Sequence, residues 1–105
     1  IVENEILKVG DLVVNSRTQE AKRGRHKIYL TRKEFSLIEY LMRNKSSVVS
    51  RGMIMEHVWS IDGDPFSNTI EAHILNLRKK INVSKKRNLI HNVPGRGYKI
   101  EDRKD

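Results

Sequence analysis

The chain has 105 residues, a formal net charge of +8, 37% hydrophobic and 32% charged residues, and no cysteine. That length supports one core that removes roughly 65% of the unfolded chain's surface from water, so a two-domain reading is excluded. Disorder is excluded by the apolar content and a membrane span by the lack of any apolar run near ~18 residues. The missing thiols exclude disulfides, thiolate metal ligands and a cysteine nucleophile, a usage compatible with a reducing, cytoplasmic setting.

The chain opens on Ile1 without a basic, apolar leader pattern, and reads as a fragment of a longer protein. Its N-terminal third predicts short antiparallel strands at Ile6 to Val9, Leu12 to Asn15, Thr18 to Lys22 and His26 to Leu30, separated by Gly10-Asp11 and Gly24. Thr31 with Glu34 is a capping box, and Phe35, Ile38, Leu41 and Met42 recur at helical spacing, predicting a first helix to about Lys45. Val48 and Val49 suit a brief extended piece. Ser50 then caps a second helix that ends near Trp59, with Ile54 and Val58 facing inward and Met53 and Trp59 beside them. Ser60 to Pro65 is rich in turn formers and predicts an exposed loop. In the third helix Asn68 and Glu71 form a cap pairing, and Ile70, Ile74, Leu77 and Ile81 make a single apolar stripe. After a basic turn, Leu89 to Val93 and Gly97 to Glu101 predict a hairpin with Pro94-Gly95-Arg96 at its tip.

Most of the charge excess is C-terminal. Between Glu71 and Glu101 there is no carboxylate, whereas Arg78, Lys79, Lys80, Lys85, Lys86, Arg87, Arg96 and Lys99 are all basic. A polyanion is the natural partner of such a segment, the alternative being solvated charges that keep the domain soluble. Opposite its apolar stripe the third helix carries Asn68, Thr69, Ala72, Asn76 and Lys79, with Leu75 and Lys80 at the edges. This narrow, acid-free face matches the DNA major groove, which is only about 12 Å wide. There Asn76 can pair with adenine, Ala72 and Thr69 can meet thymine methyl groups, and Arg78, Lys79 and Lys80 can reach phosphates. His73 borders the stripe, either as a half-buried packing residue or as a phosphate donor. Arg96, between Gly95 and Gly97, can project from the hairpin into a minor groove as a wing does.

Taken together, Leu30-Thr31-Arg32-Lys33-Glu34-Phe35, Val49-Ser50-Arg51, His57-Val58-Trp59, Thr69-Ile70-Glu71-Ala72-His73-Ile74, Leu77-Arg78-Lys79-Lys80-Ile81 and Val93-Pro94-Gly95-Arg96-Gly97-Tyr98 carry a resemblance. From about Ile6 to Ile100 the chain resembles the C-terminal effector domain of OmpR/PhoB-type bacterial response regulators. The resemblance implies an α+β winged helix-turn-helix: an N-terminal four-stranded antiparallel sheet, three helices and a C-terminal β-hairpin wing. It places Asn68, Ala72 and Asn76 at bases, and Thr69, His73, Arg78 and Lys79 at phosphates. It also implies that the loop from Ser60 to Ser67, with Asp62, Gly63, Asp64 and Phe66, touches RNA polymerase. An upstream receiver domain phosphorylated by a histidine kinase is implied as well. Two positions depart from the pattern: Leu75 stands where many members have a basic residue, and Pro94 where many have arginine.

The expected function is therefore sequence-specific duplex DNA binding by a transcription regulator, acting as a tandem pair on repeated half-sites, with no cofactor. The alternative is a protein-interaction module that contacts RNA polymerase and has only non-specific nucleic-acid affinity. RNA binding is disfavoured because Phe35, Tyr40 and Trp59 read as internal, leaving Tyr29, Phe66 and Tyr98 as surface aromatics. Catalysis is the least supported class, since His26, His57, His73 and His91 are scattered and no metal-binding or nucleophile spacing occurs.

Overall fold

A computed structural model describes residues 5–58, 68–82 and 87–103. Four short strands come first: β1 (Ile6–Val9), β2 (Leu12–Asn15), β3 (Glu20–Arg23) and β4 (His26–Ile28), joined antiparallel in the order β1-β2-β3-β4. Gly10 takes a φ of +58° as the first of the two residues between paired Val9 and Leu12, a placement that two-residue hairpins reserve for glycine. Period-2 alternation sends Val9, Leu12, Val14, Ala21 and Ile28 inward. The third strand starts at Glu20 rather than Thr18. Asn15 Oδ1 accepts the Arg17 and Thr18 N–H groups at 2.9 and 3.1 Å, and Gln19 turns to a φ of +61°, so the chain is still reversing there. The fourth strand stops at Ile28, two residues before the expected Leu30, and Tyr29 is exposed.

The first helix, α1 (Arg32–Arg43), has the expected capping box. Thr31 Oγ1 accepts the Glu34 N–H at 3.2 Å, and Glu34 Oε1 accepts the Thr31 N–H at 2.9 Å. It ends two residues before Lys45 at an Asn44 cap, and Ser46 has a φ of +67°. Helix α2 (Arg51–Val58) is capped by Ser50 Oγ, which accepts the Met53 N–H at 3.1 Å. Ile54 is fully buried and Val58 packs against the core, but Met53 is 41% exposed. One residue is 100° of helix, which turns Met53 off the inward face that Ile54 occupies. Trp59 and the expected loop residues Ser60, Asp62, Gly63, Asp64 and Phe66 lie outside the described residues.

Helix α3 (Asn68–Ile81) buries its whole stripe, with Ile70, Ile74, Leu77 and Ile81 at 0–1% exposure. Strands β5 (Ile90–Val93) and β6 (Gly97–Ile100) form the hairpin. Tyr98 exchanges both backbone hydrogen bonds with Val49, at 2.7 and 2.9 Å, so the piece between α1 and α2 adds a rung to β6. Tyr98, expected among the surface aromatics, is 6% exposed because this rung draws it into the core. Packed against α2, α3, β1 and β6, α1 is the post around which the other elements are arranged. No helix of the described residues is long and apolar enough to cross a membrane.

Candidate nucleic-acid interface

Burying the isoleucine stripe fixes what α3 shows to solvent. Ala72, Asn76 and Lys79 are exposed along one ridge, with Leu75 beside them at 52% exposure and His73 half-buried. Asn68 and Thr69 open the helix, and their side chains lie outside the described residues. The one carboxylate in the first turn, Glu71, accepts two hydrogen bonds from the Arg51 guanidinium at 3.0 and 3.1 Å and one from the Tyr98 hydroxyl at 3.4 Å. Its charge is thus directed to α2 and β6, while the expected pairing with Asn68 lies outside the described residues. Burial, and then the Glu71 carboxylate, push the Tyr98 hydroxyl pKa up.

The cations beside the ridge differ in their surroundings. Arg78 donates from Nε and Nη2 to the Ile90 carbonyl at 3.1 and 2.9 Å, and from Nη2 to Asn92 Oδ1. Its fork therefore grips β5, and burial lowers its pKa. Lys80 donates to Glu34 Oε1 at 2.5 Å, tying α3 to the start of α1. Desolvation alone would raise the Glu34 pKa, but hydrogen bonds from Lys80 and Thr31 outweigh it and hold the carboxyl below its ordinary value. Lys79 has no ion pair with any described residue and stays on the ridge.

The hairpin tip is shaped by its glycines. The Arg96 N–H donates to the Val93 carbonyl at 2.9 Å, and the Arg96 side chain is exposed with open space around Gly95. Gly97 has a φ of +143°, and a Cβ there would collide with the Val49 carbonyl and lie 2.8 Å from Ser50 Cα. Only glycine allows this approach, which seats the wing against the start of α2. Between them lies an open hollow of about 530 Å³ with Arg51, Asn92, Pro94, Arg96 and Tyr98 among its lining residues. Because Arg78 reaches β5 and Glu71 reaches both Arg51 and Tyr98, the ridge of α3, the start of α2 and the wing adjoin one another.

The ridge and the exposed tip stand where the sequence places them. The bracing roles of Arg51, Glu71 and Arg78, and the burial of Arg23, have no counterpart among the sequence expectations. Arg23 falls one residue beyond the strand expected at Thr18 to Lys22, and the inward alternation of β3 extends to it.

The profile of the family described as "Transcriptional regulatory protein, C terminal" matches residues 24–100. The chain belongs to this family. This regulatory domain is 36% identical to response regulator MprA of Mycobacterium tuberculosis over 100 residues, covering 95% of the chain but 44% of that protein. It therefore spans less than half the length of the curated relatives it matches. Among solved structures it resembles the DNA binding domain of CpxR from E. coli, with a TM-score of 0.78 and 33% identity over 91% of this chain and 95% of that one. It also resembles response regulator DrrB, described as a Thermotoga maritima OmpR/PhoB homolog, with a TM-score of 0.80 and 26% identity over 93% of this chain and 45% of that one. The winged helix-turn-helix is the fold of this domain, and its relatives are bacterial two-component response regulators.

Proposed function

We infer that this domain binds duplex DNA in a sequence-specific way and so directs a two-component transcription regulator to its sites. The observation that carries the reading is the exposed ridge of Ala72, Asn76 and Lys79, which bears no carboxylate and adjoins a glycine-hinged wing with Arg96 at its tip. In this reading Asn68, Ala72 and Asn76 meet base edges, Thr69, His73 and Lys79 meet phosphates, and Arg96 enters the minor groove. Arg78 and Lys80 brace the wing and α1 and meet phosphate only through donors left over from those bonds. The likeness to a DNA-binding domain of 33% identity supports the assignment.

One such module covers only about 600–1,000 Å² of its own surface on DNA, too little for high selectivity, so two domains occupy repeated half-sites. In the whole protein the segment from Ser60 to Ser67 contacts RNA polymerase, and an upstream receiver domain takes a phosphoryl group from a histidine kinase in the cytoplasm. Selection of bound duplexes from a random pool tests the central assignment. A recurring motif in tandem copies is the expected result, and a selected pool no different from the starting one would refute specific recognition.

A further inference from the structure

Arg23 is the buried cation of the described residues, at 2% exposure on the inward face of β3. Its Nε donates to Asp11 Oδ1 at 2.5 Å. Its Nη1 donates to the Ile81 carbonyl at 2.8 Å and to Asn82 Oδ1 at 3.2 Å, and its Nη2 to the Arg87 carbonyl at 2.7 Å. Ile81 is the last residue of α3, where carbonyls lack helical partners and the helix dipole is negative. Arg87 lies on the far side of the connection that returns the chain to β5. One rigid, planar fork therefore holds the end of α3 and the entry to the wing in a fixed relation, and Asp11 in the β1–β2 turn sets its orientation.

Burying a guanidinium is costly, and a well-packed apolar residue would often serve stability as well or better. What an apolar residue cannot supply is the geometry: four directed bonds that register two DNA-facing elements against the N-terminal sheet. We propose that Arg23 is a positioning residue for base recognition, acting through α3 and the wing without touching DNA, and this rests on the DNA-binding reading above. Phosphate contacts through flexible lysines tolerate a small displacement of the helix, whereas the bidentate geometry of base contacts does not.

The test compares the wild-type domain with Arg23→Met, Arg23→Lys and Asp11→Asn, measuring urea denaturation, affinity for a selected duplex and for singly mismatched duplexes, and amide chemical shifts in the free state. For Arg23→Met the expected result is a folded domain whose preference for the matched duplex falls about two- to thirtyfold, the range over which residues outside a ligand site tune its affinity. Its non-specific affinity and salt dependence should stay unchanged. Arg23→Lys, which keeps the charge and loses the fork, should resemble it. Amide shifts should move together in the last turn of α3 and in β5 and β6. A stability change with wild-type discrimination, or shifts confined to groups that touch Arg23, would overturn the proposal. Should Arg23→Met not fold, Arg23→Lys and Asp11→Asn decide by the same criteria. A wild-type domain that discriminates among no duplexes would sink the DNA reading instead, and the free-state shifts would still decide whether the clamp registers helix and wing.

Discussion

Two neighbours on one helix, Asn76 and Lys79, have different work in this account, and the difference is measurable. Asn76→Ala removes a base-edge contact and is expected to cost about 1–3 kcal/mol at one base pair while leaving the others alone. Lys79→Ala removes a phosphate contact, so it should weaken matched and mismatched duplexes equally and reduce the salt slope by about 0.9. Binding constants over all single base-pair substitutions check this, and identical profiles for the two variants would contradict the roles. Lys80 belongs to a different set. Glu34 titrates lower in the folded domain than in the unfolded chain. The stability it adds is therefore whole above the unfolded pKa of about 4.3 and is lost as pH falls through the folded value. Lys80→Met leaves Glu34 buried without its cation and should destabilise the domain by about 1–3 kcal/mol at neutral pH. Because Glu34 then titrates closer to its unfolded value, the Glu34-linked loss of stability below about pH 4.3 should also shrink. Urea denaturation from pH 3 to 7 measures both, and an unchanged pH profile would contradict the pairing.

Elements set by local rules were legible in the sequence. The Thr31–Glu34 box and the stripe of Ile70, Ile74, Leu77 and Ile81 depend on residues three or four apart, and both occur as expected. The first two strands likewise keep their predicted bounds, since Gly10 punctuates them. What was not legible joins distant parts of the chain. Arg23 meets Ile81 across 58 positions and Tyr98 meets Glu71 across 27, and no periodicity encodes such pairs. The wing shows the same mixture. Its tip was readable from Pro94-Gly95-Arg96-Gly97, but the rung with Val49 that seats it was not. Gly97→Ala should break that rung, because an alanine at a φ of +143° is both strained and in collision with Val49. A loss of about 1–3 kcal/mol is expected. Arg96→Ala should leave stability intact and lower DNA affinity alone. Thermal denaturation of both variants separates the effects, and a Gly97→Ala domain as stable as wild type would contradict the seating.

At the scale of the molecule, sequence and fold together make two unlike sides. A four-stranded sheet turns Lys8, Lys22 and Lys27 outward on one, and α3 with the wing forms the other. A net charge of +8 draws either side towards a polyanion, so charge by itself does not choose between them. In the proposed function, shape and a ridge without carboxylates single out α3, whose Ala72, Asn76 and Lys79 face is narrow enough for a major groove. The affinity should fall steeply with salt, by about 0.9 in log–log slope for each neutralised phosphate. The most direct test is to titrate the isotope-labelled domain with its selected duplex and map the amide chemical shifts. The largest changes should fall on Ala72 to Lys79 and Gly95 to Gly97. Changes concentrated on β1 to β4, with the α3 ridge unmoved, would contradict the DNA-binding reading.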